Sequence, residues 1–215
     1  MMKKVIISGA IVSSLLLAGC TLGNSVEDQV TEVLEATYEK EQGYRDAQEK
    51  LAKSESEESA LFNEVMALTQ EELEAVKEKT SKLQASLKDR TSFMKKENQS
   101  MEDAEKELIA LQDIVKESKD EAYAADLSAL EQAFSERYTL HDEVNTAYSK
   151  LLTLTEEMYA MLPDDKTEQA TLEEKVKQVN EQNDVVKKAV EAFNASTKEV
   201  NTRKEKLYNS LESNK

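Results

Sequence analysis

The clearest chemical signal in the chain is its single cysteine. Cys20 follows Leu17, Ala18 and Gly19 and closes an apolar run, Val5 to Leu17, that starts after Lys3 and Lys4. Small side chains at 18 and 19 suit a peptidase groove, and a thiol at the next position can take a diacylglycerol through a thioether. A basic start, a short apolar segment and this ending predict an export signal cut before Cys20. The apolar segment is too short to span a bilayer as a stable helix. With one cysteine, neither an intrachain disulfide nor a thiolate metal cluster can form. Two acyl chains on Cys20 give lasting membrane attachment, where one alone is marginal. The expected division is a signal peptide over 1–19, a lipidated cysteine and short tether over 20–25, and a folded body over 26–215. The body is then expected on the extracytoplasmic face of the cell membrane, which it meets through the lipid on Cys20.

Other reactive chemistry is sparse. His141 is the only histidine, so a two-histidine zinc motif is impossible. Position 138 is Tyr, which removes the Glu-x-x-His pair of di-iron bundles. The body after the tether holds one glycine, Gly43, so no glycine-rich phosphate loop exists there. Acids are abundant, but a catalytic carboxylate pair for glycoside hydrolysis cannot be picked from a solvated acidic face. The expectation is a protein without catalysis, cofactor or metal. Tyr148 and Tyr159 are the candidate contact residues: they lie about three helical turns apart and share a side. Their rings could stack on a glycan or partner, or could simply cover a core seam with their hydroxyls in water.

These residues must be carried by helices. Charged residues make up 33% of the chain and aromatics 5%, with no tryptophan and one proline, a composition typical of long helices rather than sheets. Spacings of three and four run without a slip from Leu172 through Val179, Val186, Phe193 and Val200 to Leu211. A second run goes from Leu127 through Phe134, Arg137, His141 and Tyr148 to Leu162. A third goes from Leu73 through Leu83, Arg90 and Glu97 to Val115, and a weaker one from Val26 through Thr37, Lys40 and Tyr44 to Leu51. A 3.5-residue repeat keeps one apolar stripe facing partner helices. Pro163 stops a helix, with Asp165 and Glu168 reading as a capping box for the next. Further boundaries are expected near Ser118–Glu121 and at the polar cluster Ser54–Ser59. The cuts give helices near 26–53, 57–117, 120–162 and 166–213. The expected fold is all-α, an elongated antiparallel up-and-down bundle of four long helices, with three as the alternative.

Loss of Lys3 and Lys4 would leave 26 basic against 44 acidic residues, a net charge of −18. That surface lacks the basic footprint nucleic acid requires. It equally disfavours gripping anionic headgroups with the bundle surface.

Several stretches resemble the YkyA-type lipoproteins of Bacilli. They are Glu39-Lys40-Glu41-Gln42-Gly43-Tyr44 with Gln48 and Leu51, Lys95 through Met101, and Glu157-Met158-Tyr159 followed by Leu172 through Val176. With Leu17-Ala18-Gly19-Cys20 they cover nearly the whole chain in order. The resemblance implies an elongated helical bundle on the outer face of a Gram-positive membrane that binds the cell wall. Wall teichoic polymers are themselves largely anionic, so bulk attraction is absent. Wall binding therefore needs a local site, a cation bridge or a protein intermediary.

The leading expectation is a lipid-tethered surface module that contacts cell-wall polymer or an envelope protein. The alternatives are a structural spacer or self-associating rod, an envelope hydrolase, and a binding lipoprotein serving a transporter.

Overall fold

The apolar stripes fold as their spacing predicts. In a computed structural model that describes residues 25–119 and 121–213, the elements are α1 (Val26–Lys40), α2 (Gln42–Met66), a 3-10 turn (Gln70–Glu72), α3 (Leu73–Glu107), α4 (Ile109–Glu117), α5 (Ala124–Met161) and α6 (Gln169–Ser213). They form four antiparallel arms: α1 with α2, α3 with α4, α5 alone and α6 alone. No strand occurs among the described residues. The all-α bundle of four long helices is the observed architecture, and the three-helix alternative falls away.

The first two arms start where the sequence offers a cap. Ser25 accepts a hydrogen bond from the Asp28 amide at 3.1 Å, with Glu27 and Asp28 in the positive first turn. The first arm then runs unbroken through Ser54–Ser59, so the expected boundary there is corrected. The turn falls instead at Ala67–Thr69, where Thr69 and Glu72 make a reciprocal capping box. The polar cluster does not end the helix because Glu55 and Glu58 point inward to a cation, as described below. After Pro163, Asp164 holds the turn by accepting from the Lys166 amide at 3.0 Å, and α6 begins at Gln169 rather than 166. The expected start of α5 near 120 likewise moves to Ala124, after two tight turns that follow Ser118.

The core is a continuous column. Val30, Leu83, Leu111, Leu127, Leu130, Val179, Val186, Phe193 and Leu207 are all 0% exposed. Removing each such side chain from water stabilises the fold by roughly 1.5–3 kcal/mol before entropy is charged against it. The arms do not pack evenly. α2 lies close along α3, and α5 lies close along α6, giving two hairpins that meet where α3 and α4 touch α5. Toward α1 and α2, the backbone of α6 stands off, and the two meet through side chains.

One break interrupts the first arm. The Ser100 hydroxyl of α3 donates to the Lys40 carbonyl at 2.5 Å and accepts from the Tyr44 amide at 2.9 Å. It stands where that amide would meet that carbonyl in an unbroken helix, a recognised cause of a local kink. Gly43 permits the approach, since a Cβ there would lie 3.0 Å from Ser100 Cβ. The break shifts the stripe by one residue. Lys40, expected on the stripe, is exposed, and Glu41 enters the core at 1% exposure.

Candidate functional site

Arg90, Glu97, Arg137 and His141, the polar residues on the apolar stripes with candidate chemistry, lie inside. Three buried polar centres are spaced along the bundle axis, and each joins the first arm to α5.

The first is built on Glu41. Arg137 of α5 donates to Glu41 through Nη1 at 2.5 Å and Nη2 at 3.2 Å, a forked pair. The Tyr138 hydroxyl donates to the same carboxylate at 2.8 Å, and Arg137 Nε donates to Thr197 of α6 at 3.0 Å. Arg137 also lies over the Phe193 ring, 5.0 Å from its centroid.

In the second, Glu97 of α3 accepts from Gln48 at 2.6 Å and pairs with His141 Nε2 at 3.1 Å. The imidazole packs edge-on against Tyr44 and Phe193. It is a satisfied core histidine that no substrate can reach.

The third centre gathers Arg90 of α3, Glu55 and Glu58 of α2, and Tyr148 and Tyr159 of α5. Arg90 donates to Glu58 at 2.6 Å, to Glu55 at 3.2 Å and to the Tyr148 oxygen at 2.9 Å. Tyr148 donates to Glu55 at 2.6 Å, and Tyr159 donates to Glu58 at 2.8 Å. Burial pushes the Glu55 carboxyl up despite the opposing Arg90 charge, and lifts both phenols well above their usual range. One oxygen of Glu58 stays buried without a partner.

This placement corrects the expectation for Tyr148 and Tyr159. They do share one side of α5, but that side faces inward, where they are 2% and 0% exposed. Their rings cannot stack on a glycan or a partner from the core. The lipidation residues Leu17, Ala18, Gly19 and Cys20 lie outside the described residues. None of the described helices is long and apolar enough to cross a membrane. No group of three or more His, Cys, Asp or Glu converges as a metal cluster among the described residues.

Two polar features were not anticipated from sequence. One is Glu41, displaced into the core by Ser100. The other is a row along α6, Asn180, Lys187, Asn194, Asn201 and Tyr208, whose last member bonds Thr31 of α1 through its hydroxyl at 2.7 Å. Residues seven apart lie on one side of a helix, and at its Tyr208 end this side meets α1.

No curated protein and no solved structure matches this chain. A family does, over residues 25–210, and its description is "Putative cell-wall binding lipoprotein". That span takes in all four arms and the three buried centres, and on it the chain belongs to the YkyA family.

Proposed function

We propose that the chain is a membrane-anchored surface protein that holds the cell wall or a wall-associated partner without catalysing a reaction on it. Membership of a family described as cell-wall-binding lipoproteins carries this reading. Cys20, with Leu17, Ala18 and Gly19 before it, supplies the anchor, and residues 1–19 the export signal. The body from 26 onward acts as one binding domain.

The geometry is consistent with that task. α1 begins at Val26, six positions after Cys20, so a lipid on that cysteine sets the base of the bundle close to the membrane. From there the first arm, 26–66, rises about 60 Å at 1.5 Å per residue. The turns at 67–72 and 162–168 are at the far end, toward the wall.

The test is crosslinking of the lipidated protein in living cells, with Cys20→Ala as control. Capture of wall material or of one envelope protein, lost in the control, is the expected result. No capture above the control would leave only a spacer and would overturn the binding role.

A further inference from the structure

The buried centre around Arg90 is short of positive charge. Glu41 meets Arg137 one to one, but here two carboxylates, Glu55 and Glu58, share a single guanidinium. Their other partners are the phenols of Tyr148 and Tyr159, which donate a hydrogen bond each and bring no positive charge. Arg90 from α3, Tyr148 and Tyr159 from α5, and Glu58 on α2 itself are the titratable groups gathered around Glu55. With both acids ionised, the centre holds one negative charge too many. An unmatched charge out of water is costly, and a carboxyl in that position neutralises by binding a proton.

The geometry separates the two acids. Glu58 Oε1 accepts from Arg90 at 2.6 Å and from Tyr159 at 2.8 Å, and donors aimed at a carboxylate favour its ionised form. Its side chain is 1% exposed, and its second oxygen is buried with no donor to offset its charge and no acceptor for a proton. Glu55 is 15% exposed, so its carboxyl meets solvent at one edge, where a proton can arrive and leave. Burial lifts the Glu55 carboxyl above its ordinary value and the Glu58 charge adds to this, against the Arg90 charge and the Tyr148 hydrogen bond. Neither a third acid nor a histidine joins the pair to ligate a metal among the described residues. The ligand that fits is a proton.

We propose that this centre is a proton-binding site, in which Glu55 keeps its proton after exposed carboxyls have lost theirs. The inference is independent of wall binding. Glu58 lies eight residues before the end of α2 at Met66, about 12 Å at 1.5 Å per residue, so the site is close to the turn at Ala67–Thr69. Tyr148 and Tyr159 carry its hydrogen bonds across to α5. With the proton bound, the centre is neutral and the tie between α2 and α5 is held. As pH rises and Glu55 ionises, the excess charge stands out of water and that tie weakens. The direction follows from the raised carboxyl, whose contribution to stability is lost as pH rises through its folded value.

The experiment follows isotope-labelled glutamate carboxyls of the full lipoprotein, in detergent, by nuclear magnetic resonance through a pH titration. Glu55→Gln assigns the Glu55 signal by its absence. That signal is expected to titrate at higher pH than the main group of glutamates. Glu58→Gln leaves one carboxylate to one guanidinium and keeps an oxygen for Arg90 and Tyr159, so it is expected to move the Glu55 signal to lower pH with helical circular dichroism retained. The melting temperature of the parent, relative to Glu55→Gln, is expected to fall across the pH range of the titration. A Glu55 signal that titrates with the main group in the parent would overturn the site, whether or not Glu58→Gln folds. A signal left in place by a folded Glu58→Gln would overturn the charge imbalance behind it, and a melting difference that does not change with pH would overturn the coupling to the fold.

Discussion

Glu41 and Arg137 form a forked ion pair, 1% and 0% exposed, that ties the first arm to α5 across the bundle. Two charges taken out of water are held only because the groups around them are paired: Tyr138 donates to Glu41, and Thr197 accepts from Arg137. Arg137→Met is expected to destabilise the protein by about 3–5 kcal/mol, because Glu41 is left buried and unpaired. Adding Glu41→Leu should recover most of that loss. Urea unfolding of the two single variants and the double measures the coupling, and additive effects would show that the pair does not act as a unit.

Gly43 and Ser100 are a matched pair. Gly43→Ala is expected to cost about 1 kcal/mol or more, since its Cβ would crowd the Ser100 side chain and overpacking is penalised. Ser100→Gly is expected to destabilise as well, alone or together with Gly43→Ala, because it removes the hydroxyl that bridges the Lys40 carbonyl and the Tyr44 amide and places a glycine inside α3. Thermal melts of the three variants decide the point; a harmless Gly43→Ala would mean that the approach is loose.

Glu55 gives a pH signature. Its folded carboxyl is raised above the ordinary value of 4.5, chiefly by burial. A raised carboxyl contributes stability that is fully present below the unfolded pKa and lost as pH rises through the folded one. Glu55→Gln mimics the protonated form, so it is expected to raise the melting temperature at neutral pH and to change little at pH 3. A penalty at neutral pH as large as that at pH 3 would contradict this account.

The buried phenols titrate late. Burial lifts Tyr44, Tyr138, Tyr148 and Tyr159 well above 10.0, with neighbouring carboxylates adding to it in each case. Their contribution to stability is therefore present below the unfolded phenol pKa of about 10 and lost as pH rises beyond it. Phenolate absorbance from these four should appear only with the loss of helical circular dichroism. A smooth titration of all seven tyrosines ahead of unfolding would show that the centres are open to solvent.

The helices were legible because their stripes are regular. On α5 and α6 the predicted core positions from Leu127 to Met158 and from Val179 to Val200 are all buried. Arg90, Glu97, Arg137 and His141 stood on those stripes too, and charged residues at core positions are the signal that buried ion centres leave in a sequence. Their partners were harder to find. Glu55 and Glu58 sit in a serine- and glutamate-rich stretch that reads as solvated, and only the position of Arg90 across the α2–α3 hairpin turns them inward. Glu41 was hidden for a different reason: its place depends on Ser100, far along the chain, breaking the local helix period. Tyr148 and Tyr159 misled because shared helical spacing says which residues lie together, not whether that face meets water.

The most direct measurement is cosedimentation of the purified lipoprotein with wall sacculi stripped of protein and teichoic polymer, in high salt and chelator. Saturable pelleting under both conditions is predicted, since an acidic body held at a local site needs neither bulk ionic attraction nor a cation bridge. Protein that stays in the supernatant, or that is released by chelator, would contradict direct binding of the wall.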